Sequence, residues 1–230
     1  MDTQELIERQ CEFYKLRSSQ WQMWIEGYMG QLTDPLEELI AATPELQRDP
    51  DVLEIASGTG YFTRLIAPLA SHIWALDSAS EMLAQLDGLG LRNVTTMCHD
   101  VFDWSPSRRY DAIVCANWLS HVPHELWRSH WRMLEDALAP GGVVVAVDAT
   151  VDELPHLGGH AWWKARMDDG HREPLTTRAL DDGSQHVVVK QFWDPDTLLE
   201  QVSEFGWQGE HALVSQDRGV IFYRLRRAAQ

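Results

Sequence analysis

The hydrophobic pattern of the chain changes near residue 50. Before that point, apolar and charged residues alternate at helical spacing over about residues 4–26, and a second helical stretch covers 36–42 after Asp34-Pro35. From residue 51 onward, short runs of Val, Ile and Leu alternate with amphipathic stretches. The first part therefore predicts helices, and the second predicts strands joined by helices.

The predicted strands of the central part are almost continuously apolar. They cover residues 52–56, 72–76, 94–98, 110–116 and 143–148, with helices predicted over 59–69, 79–86 and 124–138. Strands without a polar face belong to a parallel sheet that helices cover on both sides. The pattern therefore predicts a doubly wound α/β fold.

The alternation of predicted strands and helices is interrupted over residues 149–191 and resumes afterwards. Asp182-Gly183 between 176–180 and 186–189 predicts a short hairpin, a helix is predicted over 195–205, and two β runs cover 207–214 and 220–225. We expect one domain with seven strands, mostly parallel and closed by a C-terminal antiparallel hairpin. Its parts are an N-terminal helical cap (1–48), a core (51–148), a lid insertion (149–192) and a C-terminal helix with hairpin (193–227).

Charge and composition narrow the classes of partner. The chain of 230 residues has a formal net charge of −16, which disfavours binding to nucleic acid and to anionic membranes. No apolar run approaches the roughly 20 residues that cross a bilayer, and the first residues are acidic where a signal peptide would be basic. We expect a cytoplasmic protein. Cys98 and Cys115 fall in apolar strands, which predicts buried structural thiols.

Residues 52–63 carry the strongest local signal, a buried strand followed by a glycine-rich turn and a helix. Glycine is needed where a ligand lies across the turn, because a Cβ would block it, and the helix N-terminus offers free N–H groups. The nicotinamide fingerprint Gly-x-Gly-x-x-Gly fails at its last position, where Thr63 replaces Gly or Ala.

Two further acids follow predicted strands. Asp77 ends the second strand, where a carboxylate can accept hydrogen bonds from both hydroxyls of a ribose. Asp100 follows the third strand, where it can accept from an exocyclic amine of adenine. The sequence thus contains candidate hydrogen-bond acceptors for both the ribose and the adenine of an adenosine.

Five motifs in order resemble the class I S-adenosylmethionine (SAM)-dependent methyltransferases, over most of the chain. They are Val-Leu-Glu-Ile-Ala-Ser-Gly-Thr-Gly (52–60), Ala-Leu-Asp-Ser-Ala-Ser-Glu-Met-Leu (75–83), Asp-Val-Phe-Asp-Trp (100–104), Tyr-Asp-Ala-Ile-Val-Cys-Ala-Asn-Trp-Leu-Ser-His-Val-Pro (110–123) and Leu-Ala-Pro-Gly-Gly-Val-Val-Val-Ala-Val-Asp (138–148). The resemblance implies SAM as cofactor and S-adenosylhomocysteine (SAH) as product. The cofactor-binding residues that it implies in this core are Glu54, Ser57, Gly58, Thr59, Gly60, Asp77, Ser78, Met82, Asp100, Val101 and Asn117.

The segment 13–22 resembles the Tyr-Tyr-x-x-Arg-x-x-Glu-Tyr-Asp segment that precedes the first strand in small-molecule methyltransferases, with Trp21 in place of Tyr and Gln22 in place of Asp. The resemblance implies that Tyr14, Arg17 and Trp24 lie over the cofactor. Trp21 and Tyr28 are candidates for contact with the methyl acceptor.

The sequence indicates the residues that bind the methyl acceptor less clearly than those that bind the cofactor. Asn117, Trp118 and His121 follow the fourth strand and are candidate catalytic residues, although His121 is equally typical of a structural histidine bonded to a loop carbonyl. Trp162 and Trp163 either line an apolar substrate pocket or pack the lid insertion against the sheet. Arg166, like Arg178, either grips a substrate carboxylate or is solvated beside surface acids.

The sequence thus favours a small-molecule O- or N-methyltransferase with an aromatic-rich pocket and in-line methyl transfer. The alternatives are a methyltransferase acting on RNA or protein and a nucleotide-binding oxidoreductase. No metal is expected, because Gly158-Gly159 separates His156 from His160 without further ligands. The identity of the acceptor, its reacting atom and the oligomeric state stay open.

Overall fold

A computed structural model describes residues 2–150, 175–215 and 219–228 of the chain. The N-terminal part is helical. Helix α1 (Thr3–Met29) starts at Asp2, whose carboxylate accepts a hydrogen bond from the Glu5 N–H at 2.8 Å, and a 3₁₀ turn (Gly30–Leu32) leads into α2 (Thr33–Ala41). This cap precedes the first strand of the sheet.

Strands and helices then alternate. The elements are β1 (Asp51–Ile55), α3 (Tyr61–Ile66), β2 (His72–Asp77), α4 (Ser80–Asp87), β3 (Val94–Cys98), β4 (Tyr110–Ala116), α5 (Trp127–Ala137), β5 (Leu138–Ala149), β6 (Leu175–Ala179), β7 (Gln185–Val189), α6 (Pro195–Ser203), β8 (Trp207–Ser215) and β9 (Val220–Arg227). Two further 3₁₀ turns, Leu119–His121 and His124–Leu126, lie between β4 and α5.

Seven of these strands form one sheet in the order β3-β2-β1-β4-β5-β9-β8. The first five are parallel, whereas β9 pairs antiparallel with both β5 and β8. The predicted doubly wound fold with a C-terminal hairpin is therefore confirmed. The strand order reverses between β1 and β4, and ligands of such folds bind in the crevice at the carboxyl ends of these strands.

Two hydrophobic clusters cover the two faces of the sheet. Successive strand residues face opposite sides, so that Val52 packs into the cluster with α2 and α3, and Leu53 packs into the cluster with α5 and α6. The second cluster contains Trp127, Trp131 and Trp207. Burial on both faces explains why the central strands β1, β4 and β5 lack a polar side.

Some sequence predictions of local structure were wrong. The helix predicted from residue 124 starts at Trp127, because Pro123 has an extended backbone and a 3₁₀ turn follows it. Cys98 is exposed rather than buried, since β3 is an edge strand of the sheet. The 176–189 hairpin is confirmed as β6–β7, but it forms a separate two-stranded sheet. Most of the predicted lid, residues 151–174, including His156 and His160, lies outside the described residues.

None of the helices in the described ranges has the length and apolar character that a membrane crossing requires. The division of the chain into cap, core, lid and C-terminal part stays a prediction.

His130 is an unusual member of the core. It lies on α5 with its ring 6.1 Å from those of Trp118 and Trp131, and it is 3% exposed. Neither ring nitrogen has a hydrogen-bond partner among the described residues. Burial lowers the pKa of His130 to about 3, so that the folded protein holds this ring in its neutral form.

We expect His130 to make the fold sensitive to acid. At pH values between the ordinary histidine pKa and about 3, the ring is protonated in the unfolded chain but neutral in the folded chain. The free energy of unfolding therefore decreases as the pH is lowered, by about 2 kcal/mol from pH 7.5 to pH 5. His130→Leu removes this loss. Urea unfolding at both pH values measures it, with His99→Leu at an exposed site as the control. An equal acid loss in wild type and His130→Leu would contradict the prediction.

Candidate active site

A cavity of about 960 Å³, including its open mouth, lies at the carboxyl ends of β1, β2 and β4 and beneath α1. We call it the central cavity. It is lined by Gln10, Cys11, Tyr14, Trp21, Ile25, Met29, Glu54, Ala56, Ser57, Gly58, Thr59, Tyr61, Phe62, Asp77, Ser78, Met82, Asp100, Val101, Phe102, Ala116, Asn117, Trp118 and His121. The strand-terminal acids Glu54, Asp77 and Asp100 therefore share one space.

The glycine-rich turn after β1 forms the floor of the central cavity. Gly58 has a φ of +56°, and a Cβ there would stand 3.3 Å from Nε1 of Trp21, so the glycine lets α1 approach the turn. Gly60, by contrast, does not line the central cavity. Its φ is +88° and a Cβ would meet Leu86 at 2.5 Å, so this glycine serves the turn and its packing on α4.

Asp77 holds the turn in place. One carboxylate oxygen accepts from the Gly58 N–H at 2.8 Å, and the other accepts from the Ala79 N–H at 2.9 Å. Burial raises the pKa of Asp77, while these backbone hydrogen bonds oppose the rise. Each oxygen keeps a lone pair, so the carboxylate can still accept from a bound hydroxyl.

Glu54 is the most deeply buried acid of the central cavity, at 2% exposure. Its carboxylate accepts a hydrogen bond from the Thr63 hydroxyl at 2.6 Å. Burial raises the pKa of Glu54 to about 8, and the nearby charge of Asp77 adds to the rise. At neutral pH this carboxyl is mostly protonated, and a cationic ligand would favour its ionised form.

Asp100 and Cys11 meet on the other side of the central cavity. The Asp100 carboxylate accepts from the Phe102 N–H at 2.9 Å, and the thiol of Cys11 lies 3.7 Å from its second oxygen. Burial raises the pKa of Cys11 to about 11, so the thiol stays protonated. Val101 and Phe102 add apolar surface beside this acid, which suits the edge and face of a base.

Several buried polar atoms of the central cavity have no partner among the described residues. They are Ser57 Oγ, Thr59 Oγ1 and the indole nitrogen of Trp118. Buried polar atoms are rarely left without a hydrogen bond, so their position indicates a ligand with polar groups. Together with the three acids, they fit an adenosyl compound that carries an amino acid.

The end of β4 supplies the remaining polar wall. Asn117 has a φ of +53°, and its N–H donates to the Val147 carbonyl at 2.7 Å. Trp118 packs on Phe102 with ring centroids 5.2 Å apart. His121 follows in a 3₁₀ turn, where one ring nitrogen contacts the Val189 carbonyl and the other lies 2.9 Å from the Tyr14 hydroxyl. His121 thus has the carbonyl contact of a structural histidine and also lines the central cavity.

Not every residue proposed from the sequence lies in the central cavity. Arg17 stacks over the rings of Trp21 and Phe13, at 5.2 and 5.6 Å, and is not part of the lining. Trp21, a candidate for contact with the methyl acceptor, lines the central cavity beside Gly58 of the glycine-rich turn. The side chains of Trp24 and Tyr28, together with Trp162, Trp163 and Arg166, lie outside the described residues.

Sequence reasoning missed part of the lining that α1 contributes. Gln10, Cys11, Ile25 and Met29 join Tyr14 on one face of this helix. The i, i+4 spacing of Gln10 and Tyr14 was visible, but helical spacing alone does not tell a ligand-facing stripe from a core-facing one.

The family model "Methyltransferase domain" matches residues 25–212, most of the chain. This protein belongs to that methyltransferase family. It is a class I SAM-dependent methyltransferase with SAM as its cofactor, as its motifs indicated. The glycine-rich turn therefore belongs to a methyltransferase and not to a nicotinamide enzyme.

Individual relatives agree with this family. The solved complex DhpI-SAM-HEP is 35% identical with a TM-score of 0.84, covering 98% of this chain and 100% of the other. Trans-aconitate 2-methyltransferase of Streptomyces avermitilis is 34% identical, over 59% of this chain and 55% of that protein. Protein-L-isoaspartate O-methyltransferase of Photorhabdus laumondii is 33% identical, over 52% and 56%. The chain spans about half the length of these two curated relatives.

We expect binding of SAH or SAM to release a proton from Glu54. The free carboxyl has a pKa of about 8, and a cationic ligand lowers it, so affinity rises as pH increases from 6.5 to 8. Calorimetry at pH 7 in two buffers of different ionisation enthalpy counts the released protons. Because the amino group of the ligand also titrates, Glu54→Gln is the reference, and identical proton counts for both proteins would contradict the expectation.

Proposed function

We propose that this methyltransferase transfers the methyl group of SAM to an acidic oxygen of a small molecule, which binds beside Asn117, Trp118 and Tyr14. One observation carries the proposal. The only imidazole among the described residues that line the central cavity, that of His121, is already bonded at both nitrogens, and the charge of Arg178 acts on this ring and on Tyr14.

A free base is needed only when the acceptor must lose a proton. A hydroxyl or ammonium group must do so, whereas a carboxylate attacks as it stands. Burial lowers the pKa of His121 well below its ordinary value, and the charges of Lys190 and Arg178 lower it further. This ring is therefore poorly placed to take up a proton, which favours an acceptor that is already ionised.

A hydrogen-bond donor, the indole of Trp118, and two cations, Lys190 and Arg178, lie in the neighbourhood of His121. The buried indole N–H of Trp118 has no acceptor among the described residues and lines the central cavity. Lys190 is neutralised by Asp148, with Nζ 3.5 Å from the carboxylate and 2.8 Å from the Ser120 hydroxyl. Arg178 has no carboxylate within 4 Å in the described part of the chain.

Arg178 lies on the side of the hairpin that faces α1. It pairs with His186 across β6 and β7, and the His186 ring is 5.6 Å from the Phe13 ring on α1. Its charge reaches both Tyr14 and His121, where it opposes the rise in the tyrosine pKa that burial causes. In a chain of net charge −16, a cation in this place favours an anionic acceptor.

The names of two relatives support the same chemistry. Trans-aconitate and isoaspartate both carry carboxylates, and the names of those enzymes refer to these molecules. The acceptor of this protein belongs, in our proposal, to the same chemical class. Trp162, Trp163 and Arg166 in the 149–192 segment would complete the acceptor pocket, with Trp21 and Tyr28 on the helical side.

The protein contributes alignment and exclusion of water. The bound cofactor supplies a methyl group on a positively charged sulfur, so displacement needs no further activation of the leaving group. The acids and the glycine-rich turn orient the adenosyl and amino-acid parts, and α1 covers the central cavity. Side chains at the end of β4 would hold the acceptor oxygen in line with the methyl group.

A panel of acceptors with methyl-labelled SAM tests this proposal. We expect label in small mono-, di- or tricarboxylates as esters that alkali hydrolyses to methanol, and no label in the matching amides. An isoaspartyl peptide and a structured RNA are included as the other acceptor classes. Alkali-stable label on an amine, or label on the peptide or RNA alone, would overturn the proposal.

We expect Arg178→Gln to raise the KM for the anionic acceptor by about 5- to 10-fold and to leave the Kd for SAH unchanged, because a charge at the acceptor end is lost. Initial rates at saturating SAM and calorimetry with SAH give the two values. Arg92→Gln, at an exposed site before β3, is the matched control. A parallel loss of SAH binding would show that Arg178 acts on the fold or the cofactor instead.

A further inference from the structure

Helix α1 presents two polar side chains to His121, one turn apart. The Gln10 amide donates to the His121 carbonyl at 3.1 Å and accepts from the Val189 N–H at 3.0 Å. The Tyr14 hydroxyl lies 2.9 Å from Nε2 of the His121 ring. The histidine is therefore fixed at its backbone and at its ring by the same helix.

The contact with Val189 determines which ring nitrogen carries the proton. A backbone carbonyl can only accept a hydrogen bond, so Nδ1 of His121 must be the donor to the Val189 oxygen. Burial keeps the ring neutral because it lowers the pKa of His121. Nε2 is then the acceptor nitrogen, and the Tyr14 hydroxyl must donate to it.

This assignment leaves the Tyr14 oxygen with lone pairs only. Its single proton is directed to His121, and burial raises the pKa of Tyr14 to about 12, so the hydroxyl is not ionised. The oxygen belongs to a side chain that lines the central cavity. It can therefore act there as a hydrogen-bond acceptor and as a centre of partial negative charge.

The two ligands of this enzyme, SAM and SAH, differ in the charge of their sulfur atom, which a nearby partial negative charge would distinguish. SAM carries a methyl group on a positive sulfonium, and SAH carries a neutral thioether. Uniform contacts to the adenosyl and amino-acid parts bind both ligands alike. A distinction between them requires a group that interacts with the positive sulfur or its polarised methyl group.

We propose that Tyr14 is a specificity-determining residue by which the protein binds the cationic sulfonium in preference to the neutral thioether, and that His121 is the positioning residue that keeps the Tyr14 oxygen an acceptor. This inference rests on the cofactor and not on the proposed acceptor. It also gives His121 a role other than that of a base.

Binding measurements on three ligands test the proposal without any acceptor. Calorimetry gives the Kd for SAM, SAH and sinefungin, which carries a protonated amine in place of the methyl sulfonium. In Tyr14→Phe we expect the preference for SAM and sinefungin over SAH to fall by about 2- to 5-fold, the range that a C–H···O or similar weak contact supplies. An equal weakening of all three ligands, or an unchanged preference, would overturn the proposal.

Tyr61→Phe is the matched control. Tyr61 also lines the central cavity, but its hydroxyl donates to the Met29 carbonyl at 2.8 Å and contacts the Thr33 hydroxyl at 2.8 Å. Loss of that hydroxyl is expected to leave the ratio of the SAM and SAH constants unchanged. A ratio that falls equally in both variants would show a general effect of cavity hydroxyls and would contradict a special role of Tyr14.

His121→Phe separates the positioning role from a direct one. Without Nε2, the Tyr14 proton is free to turn into the central cavity, so the preference for the cationic ligands should fall as it does in Tyr14→Phe. The double variant should show no further fall, because both changes remove one interaction. Additive losses, or a preserved preference in folded His121→Phe, would refute the positioning role. Circular dichroism confirms that each variant is folded.

Discussion

Two carboxyl groups at the end of a parallel sheet, Asp77 and Glu54, determine the shape of the glycine-rich turn and the charge of the ligand that the site favours. Asp77 uses both oxygens to hold the backbone of the glycine-rich turn and the start of α4, so the shape of the turn depends on its charge. Glu54 lies deeper, bonded to Thr63, and burial shifts its pKa to about 8. Buried acids of this kind favour a cationic ligand, and the ammonium group that SAM and SAH share is such a cation.

Helix α1 extends this arrangement to the opposite wall. Its face contacts Gly58 through Trp21, His121 through Gln10 and Tyr14, and the end of β7 through Gln10. The same helix therefore covers the central cavity and contacts the end of β7 in the hairpin. In this arrangement both ring nitrogens of His121 are bonded, and this observation supports our proposal of an acceptor that needs no base.

Much of the fold and part of the site could be predicted from the sequence. Apolar runs identified the strands, and the glycines with Glu54, Asp77 and Asp100 marked the edge where the central cavity lies. Where two of the proposed cofactor residues lie depends instead on their neighbours in space. Gly60 lies against Leu86 and Arg17 stacks on aromatic rings, so both lie outside the lining of the central cavity.

The alternation of strands and helices, the turn after β1 and the methyltransferase family could be read from the chain alone, because these follow from local backbone preferences and from short motifs. The contacts of the His121 ring, by contrast, became visible only in the folded chain. Its ring partners are 68 and 107 residues away along the chain, at Val189 and Tyr14, and no local pattern encodes such contacts. The state of its ring, and hence of the tyrosine beside it, follows from burial and from a carbonyl that can only accept.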